Sequence, residues 1–328
     1  VVYTVTPTSG AAGNCVGSTF TVTVTVNPKA AIANKTASTC SGTGFTVTPS
    51  NGTDIVPSGT TYAWSSLPVV TGGLTGGATA TGQSTINGTL TNPTNIPQTA
   101  TYTVTPTSGS CTGPTFTVVA TINPKPVVPN QTATICSGTA FTISPTNNAP
   151  TTIIPSNTTY TWTVAPNASV TGETDQAVGQ SSISQTLTNT TNIVQTVVYT
   201  VTPTSGADGN CVGSSFTVTV TVNPTPVVPN QTVTICSGGT FTRTPVDAAP
   251  TTIIPSGTTY TWTVAPNADV TGETDQAVGQ SNISQTLTNL TNTAQTVVYT
   301  VTPTSGAAGN CVGSTFTVTV TVNPKATI

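Results

Sequence analysis

Residues 216–222 read "FTVTVTV", and the fold turns on those seven letters. Successive side chains of a β-strand point to opposite faces. Phe216, Val218, Val220 and Val222 therefore line one face, and Thr217, Thr219 and Thr221 the other. Thr keeps the β-branched preference for strands while presenting a hydroxyl. The stretch is a strand with a core side and a wetted side. The same alternation runs through "NCVGSTFTVTVTVNPKA", which occurs at residues 14–30 and again, unchanged, at 310–326.

Working outward, "YTVTPTSG" recurs with its tyrosine at Tyr3, Tyr102, Tyr199 and Tyr299, and "CSG" at Cys40, Cys136 and Cys236. Single tryptophans stand at Trp64, Trp162 and Trp262. Residues 125–224 and 225–324 align without a gap and agree at most positions, 29–124 is a more divergent copy, and 1–28 match only the last quarter of a unit. Residues 325–328 would begin another unit, so the chain reads as a window on a longer tandem array. A period near ~100 residues is that of a small independent domain rather than a solenoid coil.

Within 125–224 the strand signals fall at 131–135, 140–144, 158–164, 182–188, 196–202 and 215–222, with a weaker one at 168–172. No segment has helical periodicity. Short alternating strands with turn signals between them predict an all-β chain, a tandem array of immunoglobulin-like β-sandwich domains. Trp64, Trp162 and Trp262, with Tyr102, Tyr199 and Tyr299, are expected between the sheets. The joints "NPKPVVP" and "NPTPVVP" restrict φ and favour extended chain, which predicts stiff, rod-like linkage.

Composition narrows the function. Thr fills a quarter of the positions, charged residues only 4%, and the net charge is −3. Five cations cannot neutralise a phosphate backbone, which argues against nucleic acid as a partner. No apolar run is long enough to be a membrane span. Catalysis by a nucleophile needs a base beside it; with no His and eight acids spread along the chain, the sequence reads as no enzyme and calls for no cofactor. "GETDQ" places Glu173 with Asp175 and Glu273 with Asp275, pairs that could hold calcium if further oxygens converged. Residues 29–124 have the acid-free "GGLTGGATATGQ" there, so a solvated loop is the preferred reading and no metal is assigned.

Seven cysteines occupy two repeat positions: Cys40, Cys136 and Cys236 after the first strand, and Cys15, Cys111, Cys211 and Cys311 before the last. Their spacing fits no zinc motif, and a recurring pair in such a β protein indicates disulfides and an oxidising compartment. If first and last strands run parallel, the two cysteines of one repeat sit at opposite poles, about 30 Å apart, beyond the ~7 Å that a disulfide spans between Cα atoms. That geometry favours latches between neighbours, Cys40–Cys211 and Cys136–Cys311, with Cys15, Cys111 and Cys236 awaiting partners. A shorter or rerouted first strand would instead allow Cys40–Cys111, Cys136–Cys211 and Cys236–Cys311 within repeats.

The segments "NQTATICSGTAFTISP", "TTYTWTV" and "YTVTPTSGADGNCVGSSFTVTVTVNP" resemble the tandem PKD-like or immunoglobulin-like repeats of giant cell-surface proteins of the Bacteroidetes, among them gliding-motility adhesins and type 9 secretion substrates. The resemblance implies an extracellular or cell-surface stalk or filament segment serving adhesion or gliding motility. Its partners would be neighbouring repeats of the same chain, laterally associated copies, and surface glycans or a substratum. Two other functions are weighed beside it: a self-assembling fibre subunit, and an array of carbohydrate-binding modules.

Overall fold

The structure, a computed structural model, describes residues 1–10, 12–206, 209–306 and 309–326; of the expected segment 325–328, Thr327 and Ile328 lie outside the described residues. Among the described residues all regular structure is β. The chain forms two compact units, Val1–Lys125 with Gly206–Cys211, and Pro126–Ser205 with Val212–Ile328.

Repeat 125–224 shows how the alternation becomes a core. Its strands are β1 (Gln131–Cys136), β2 (Thr139–Ile143), β3 (Thr159–Val164), β4 (Val170–Thr171), β5 (Gln176–Gln180), β6 (Ile183–Asn189), β7 (Gln195–Thr204) and β8 (Phe216–Asn223). One sheet has the order β1-β8-β7-β3-β5 and the other β2-β6-β4. The first strand pairs parallel with the last, Gln131 opposite Val218, and β7 pairs antiparallel with β8, Tyr199 opposite Val218.

Phe216, Val218, Val220 and Val222 are buried, and they meet Phe141, Ile183 and Leu187 of the other sheet in one apolar cluster. Two sheets closing on a shared core make an immunoglobulin-like β-sandwich. Thr217, Thr219 and Thr221 are half-buried rather than exposed, because β8 is flanked on both sides by neighbouring strands. Repeat 225–324 has the same two sheet orders and an equivalent cluster. Repeat 29–124 keeps the arrangement, with the short strands Val69–Val70 and Cys111–Thr112 added to its larger sheet.

One strand escapes the sequence pattern. β5, which reads as loop in "GETDQAVGQ", pairs antiparallel with β3 across an irregular register. It is an edge strand whose Val178 is exposed, so it lacks the one-sided burial that alternation encodes.

In the first unit, Val2–Val5 and Phe20–Thr23 form a separate two-stranded hairpin with Val5 opposite Phe20. Tyr3, Phe20, Val22 and Val24 are all exposed there, although the same sequence is buried in the later repeats.

A glycine that pattern reading overlooks anchors each linker. A Cβ at Gly213 would collide with the Pro126 carbonyl oxygen; Gly313 stands in the same relation to Pro226, and Gly113 to Ala30. Here the missing side chain allows two backbones to touch. Gly213→Ala is expected to destabilise its repeat by about 2–3 kcal/mol through overpacking. Chemical denaturation would read this as a shift of one transition, and an unchanged midpoint would refute it.

Candidate functional site

The cysteines define the site with the most specific geometry. β1 ends at Cys136, opposite Asn223 at the end of β8, and the Ser137 amide donates to the Asn223 carbonyl at 2.8 Å. Cys136 is joined to Cys311, 175 residues on, with Cα atoms 5.6 Å apart. In the first unit, Cys40 lies opposite Asn123 and is joined to Cys211, 171 residues on, again at 5.6 Å.

The loop before each latching cysteine is shaped for close approach. Gly309 and Asn310 have φ of +109° and +45°, and Gly209 and Asn210 +101° and +45°. This is the left-handed region that glycine enters freely and asparagine tolerates. A Cβ on Gly309 would stand 2.5 Å from the Asn223 Nδ2, and one on Gly209 2.7 Å from that of Asn123. Each glycine thus rests directly on the side-chain amide that ends the neighbouring strand, and both asparagines are buried.

The within-repeat pairings Cys40–Cys111, Cys136–Cys211 and Cys236–Cys311 are not formed. Cys136 sits beside the end of β8 while Cys211 precedes its start, and seven strand residues between those levels span about 23 Å. Cys15 and Cys236 are exposed free thiols and Cys111 is a half-buried one.

The "GETDQ" carboxylates have structural partners. Glu173 Oε1 accepts the Asn167 amide at 3.1 Å, and Asp175 Oδ1 the Val164 amide at 2.8 Å. Between them, the Thr174 carbonyl accepts the Trp162 indole N–H at 3.1 Å and the Gln185 amide at 2.7 Å. Gln185 Oε1 in turn accepts the Tyr199 hydroxyl at 2.8 Å. Burial first, and the negative charge of Glu173 second, push the Tyr199 phenol far above its ordinary range, so it remains a protonated donor. Glu273, Asp275, Trp262 and Tyr299 repeat the network. The loop is pinned rather than merely solvated. Among the described residues no three acidic or cysteine side chains gather as a metal cluster would require.

Trp64, Trp162, Trp262, Tyr102, Tyr199 and Tyr299 are all buried. Tyr102 differs in that its hydroxyl has no partner. Gly88 opposes Phe45 where Gln185 opposes Phe141, so the accepting amide is missing from repeat 29–124.

That repeat also has an ion pair, Lys35 Nζ to Asp54 Oδ2 at 2.6 Å, with the Asp54 side chain 2% exposed. The Lys35 hydrogen bond, followed by the Ala33 amide, holds the Asp54 carboxyl below its ordinary value of 3.8. A group depressed in the folded state stabilises above its unfolded pKa, and that stability is lost as pH falls through the folded value. Repeat 29–124 should therefore weaken selectively below about pH 4, while the repeats with Gln131 and Gln231 in place of Lys35 hold. Lys35→Ala should reduce this acid sensitivity, leaving the part due to the Ala33 amide, and cost about 2 kcal/mol at neutral pH, between the values for exposed and buried pairs. Domain-resolved melts from pH 7 to 2.5 check both.

The sequence matches the PKD-like domain over residues 1–30, 36–126, 133–226 and 233–326. The chain belongs to the PKD-like domain family. No curated protein matches these PKD-like repeats. Among solved structures, they are similar to the human desmocollin-1 ectodomain (13% identity, TM-score 0.29, covering 90% of this chain and 62% of that one). Others are an I-band fragment of titin (8%, 0.32, 91% and 97%) and a mouse cadherin-23 fragment (12%, 0.27, 90% and 97%). The PKD-like chain thus spans 62% of the length of the desmocollin ectodomain it matches. No helix among its described residues is long and apolar enough to cross a membrane.

Proposed function

We propose that this chain is a structural segment of an extracellular stalk or filament, built of PKD-like units at 29–124, 125–224 and 225–324 and serving cell-surface adhesion or gliding motility. The carrying observation is the disulfide that ties the first-strand cysteine of one repeat to the pre-strand cysteine of the next, twice over. Such a bond adds no chemistry; it limits how far one repeat can part from its neighbour. The pinned aromatic networks and 4% charge content support the same reading, since neither supplies a nucleophile–base pair. The finer reading is a giant surface protein of the Bacteroidetes type, exported by type 9 secretion, with neighbouring repeats, laterally associated copies, or surface glycans and a substratum as partners.

Non-reduced peptide mapping of protein made in an oxidising compartment tests the latch. Fragments Cys40–Cys211 and Cys136–Cys311 are expected; within-repeat fragments would overturn the reading. The carbohydrate-binding alternative is disfavoured because its stacking aromatics would have to be exposed, whereas the tryptophans are buried.

A further inference from the structure

In repeats 125–224 and 225–324 one glutamine ties the two sheets together. Gln185 Oε1 accepts the Tyr199 hydroxyl at 2.8 Å and the Thr174 amide at 3.2 Å. Its Nε2 donates to the Thr174 carbonyl and hydroxyl, both at 2.7 Å. Gln285 does the same for Tyr299 and Thr274. Repeat 29–124 keeps the surroundings of that amide and lacks the amide. Gly88 holds the strand position of the glutamine, opposite Phe45. Ala78 holds that of the threonine, its carbonyl accepting the Trp64 indole at 2.6 Å. Gly77 and Gly44 stand where Glu173 and Ala140 stand in the next repeat.

With side chains shortened at these four positions, a recess of about 450 Å³ opens, lined by Gly44, Phe45, Trp64, Gly77, Ala78 and Gly88 among others. That volume lies in the range of small-molecule sites. The Tyr102 hydroxyl is buried at its wall and has no hydrogen-bond partner. A Cβ on Gly88 would stand 2.6 Å from that hydroxyl, and one on Gly77 3.3 Å. The phenol thus meets the recess between two residues that have no side chain. Burial raises its pKa, so it is a protonated donor. A buried donor without a partner costs free energy that an accepting ligand oxygen would recover. All of these residues belong to repeat 29–124, in which both sheets are formed.

We propose that repeat 29–124 binds a small molecule through a neutral carboxamide group, which takes the place that Gln185 and Gln285 fill from within their own repeats. The ligand oxygen accepts from the Tyr102 hydroxyl, and the ligand N–H donates to the Ala78 carbonyl. Its apolar part lies against Phe45 and Trp64. A carboxylate of the same size is rejected. One of its oxygens would face the Ala78 carbonyl, and none of the residues lining the recess is charged, so its lost hydration would go uncompensated.

Propionamide matches the glutamine side chain from Cβ outward and serves as the probe. The full chain, labelled with nitrogen-15, is titrated with it while the indole N–H resonances of Trp64, Trp162 and Trp262 are followed, one in each repeat. Trp64 should shift saturably, with a Kd in the millimolar range expected of so few atoms, and the other two should stay in place. Propionate should bind at least about tenfold more weakly. Tyr102→Phe should weaken propionamide binding about fivefold. Gly88→Gln, which supplies the amide from within, should abolish the shift; the Trp64 resonance itself reports that each variant is folded, and either variant alone suffices. N-methylacetamide as a second probe tells whether the amide is primary or N-substituted, and saturation by either upholds the site. No saturable change at Trp64, equal movement of all three indoles, or full affinity in the folded variants overturns the proposal.

Discussion

Pulled by its two ends, the oxidised chain should release only about 75 residues between Cys40 and Cys311, a contour of about 260 Å at the extended limit of ~3.3–3.6 Å per residue. After reduction the same region should release about 270 residues, about 930 Å. The difference comes from how the two disulfides interlock. The shortest covalent path crosses from Cys40 to Cys211, runs backward along the chain to Cys136, and crosses again to Cys311. Most of repeats 29–124 and 225–324 lies off that path and bears no load. Each loop also restricts the unfolded chain, worth about 5 kcal/mol in the chain-entropy limit for so long a closure. Because the loops overlap, the two contributions will not add. Single-molecule extension with and without reductant measures the effect directly, and equal contour lengths would show that no interlocked latch carries the load.

The second large effect is expected from Trp162→Ala. The indole is buried in the core of repeat 125–224, and its N–H ties β3 to the Thr174 carbonyl in the loop before β5. Truncating a buried tryptophan costs about 3–5 kcal/mol, a large part of the ~5–15 kcal/mol that holds a domain together. At ~4–8 °C per kcal/mol for a domain of this size, its transition should fall by about 15–30 °C. Repeat 225–324, with Trp262 in the same place, supplies the internal reference. Calorimetry should show one transition displaced and one in place. A shift of a degree or two would mean that the indole is not part of the core.

The strands were legible wherever burial is one-sided. "FTVTVTV" and "TVVYTVT" alternate because one face of each meets the opposite sheet. β5 was not legible, being an edge strand without a buried face. Gly213 was equally hidden, since its reason is the Pro126 carbonyl, some ninety residues earlier. The "GETDQ" acids read as a solvated loop or a calcium candidate because the amides they accept, those of Val164 and Asn167, are neighbours only after β3 and its loop fold back.

From its letters alone the chain determined that it is β, that it builds one sandwich repeatedly, and that its surface is neutral and hydroxyl-rich. Those properties arise from side-chain periodicity and composition, which are local. The expected parallel strands favoured Cys40–Cys211 and Cys136–Cys311 but left the within-repeat pairs open; the folded register decides between them, carrying Cys136 to the level of Asn223 and away from Cys211. A partner 171 or 175 residues distant leaves no local trace, because its selection depends on where whole strands end in space.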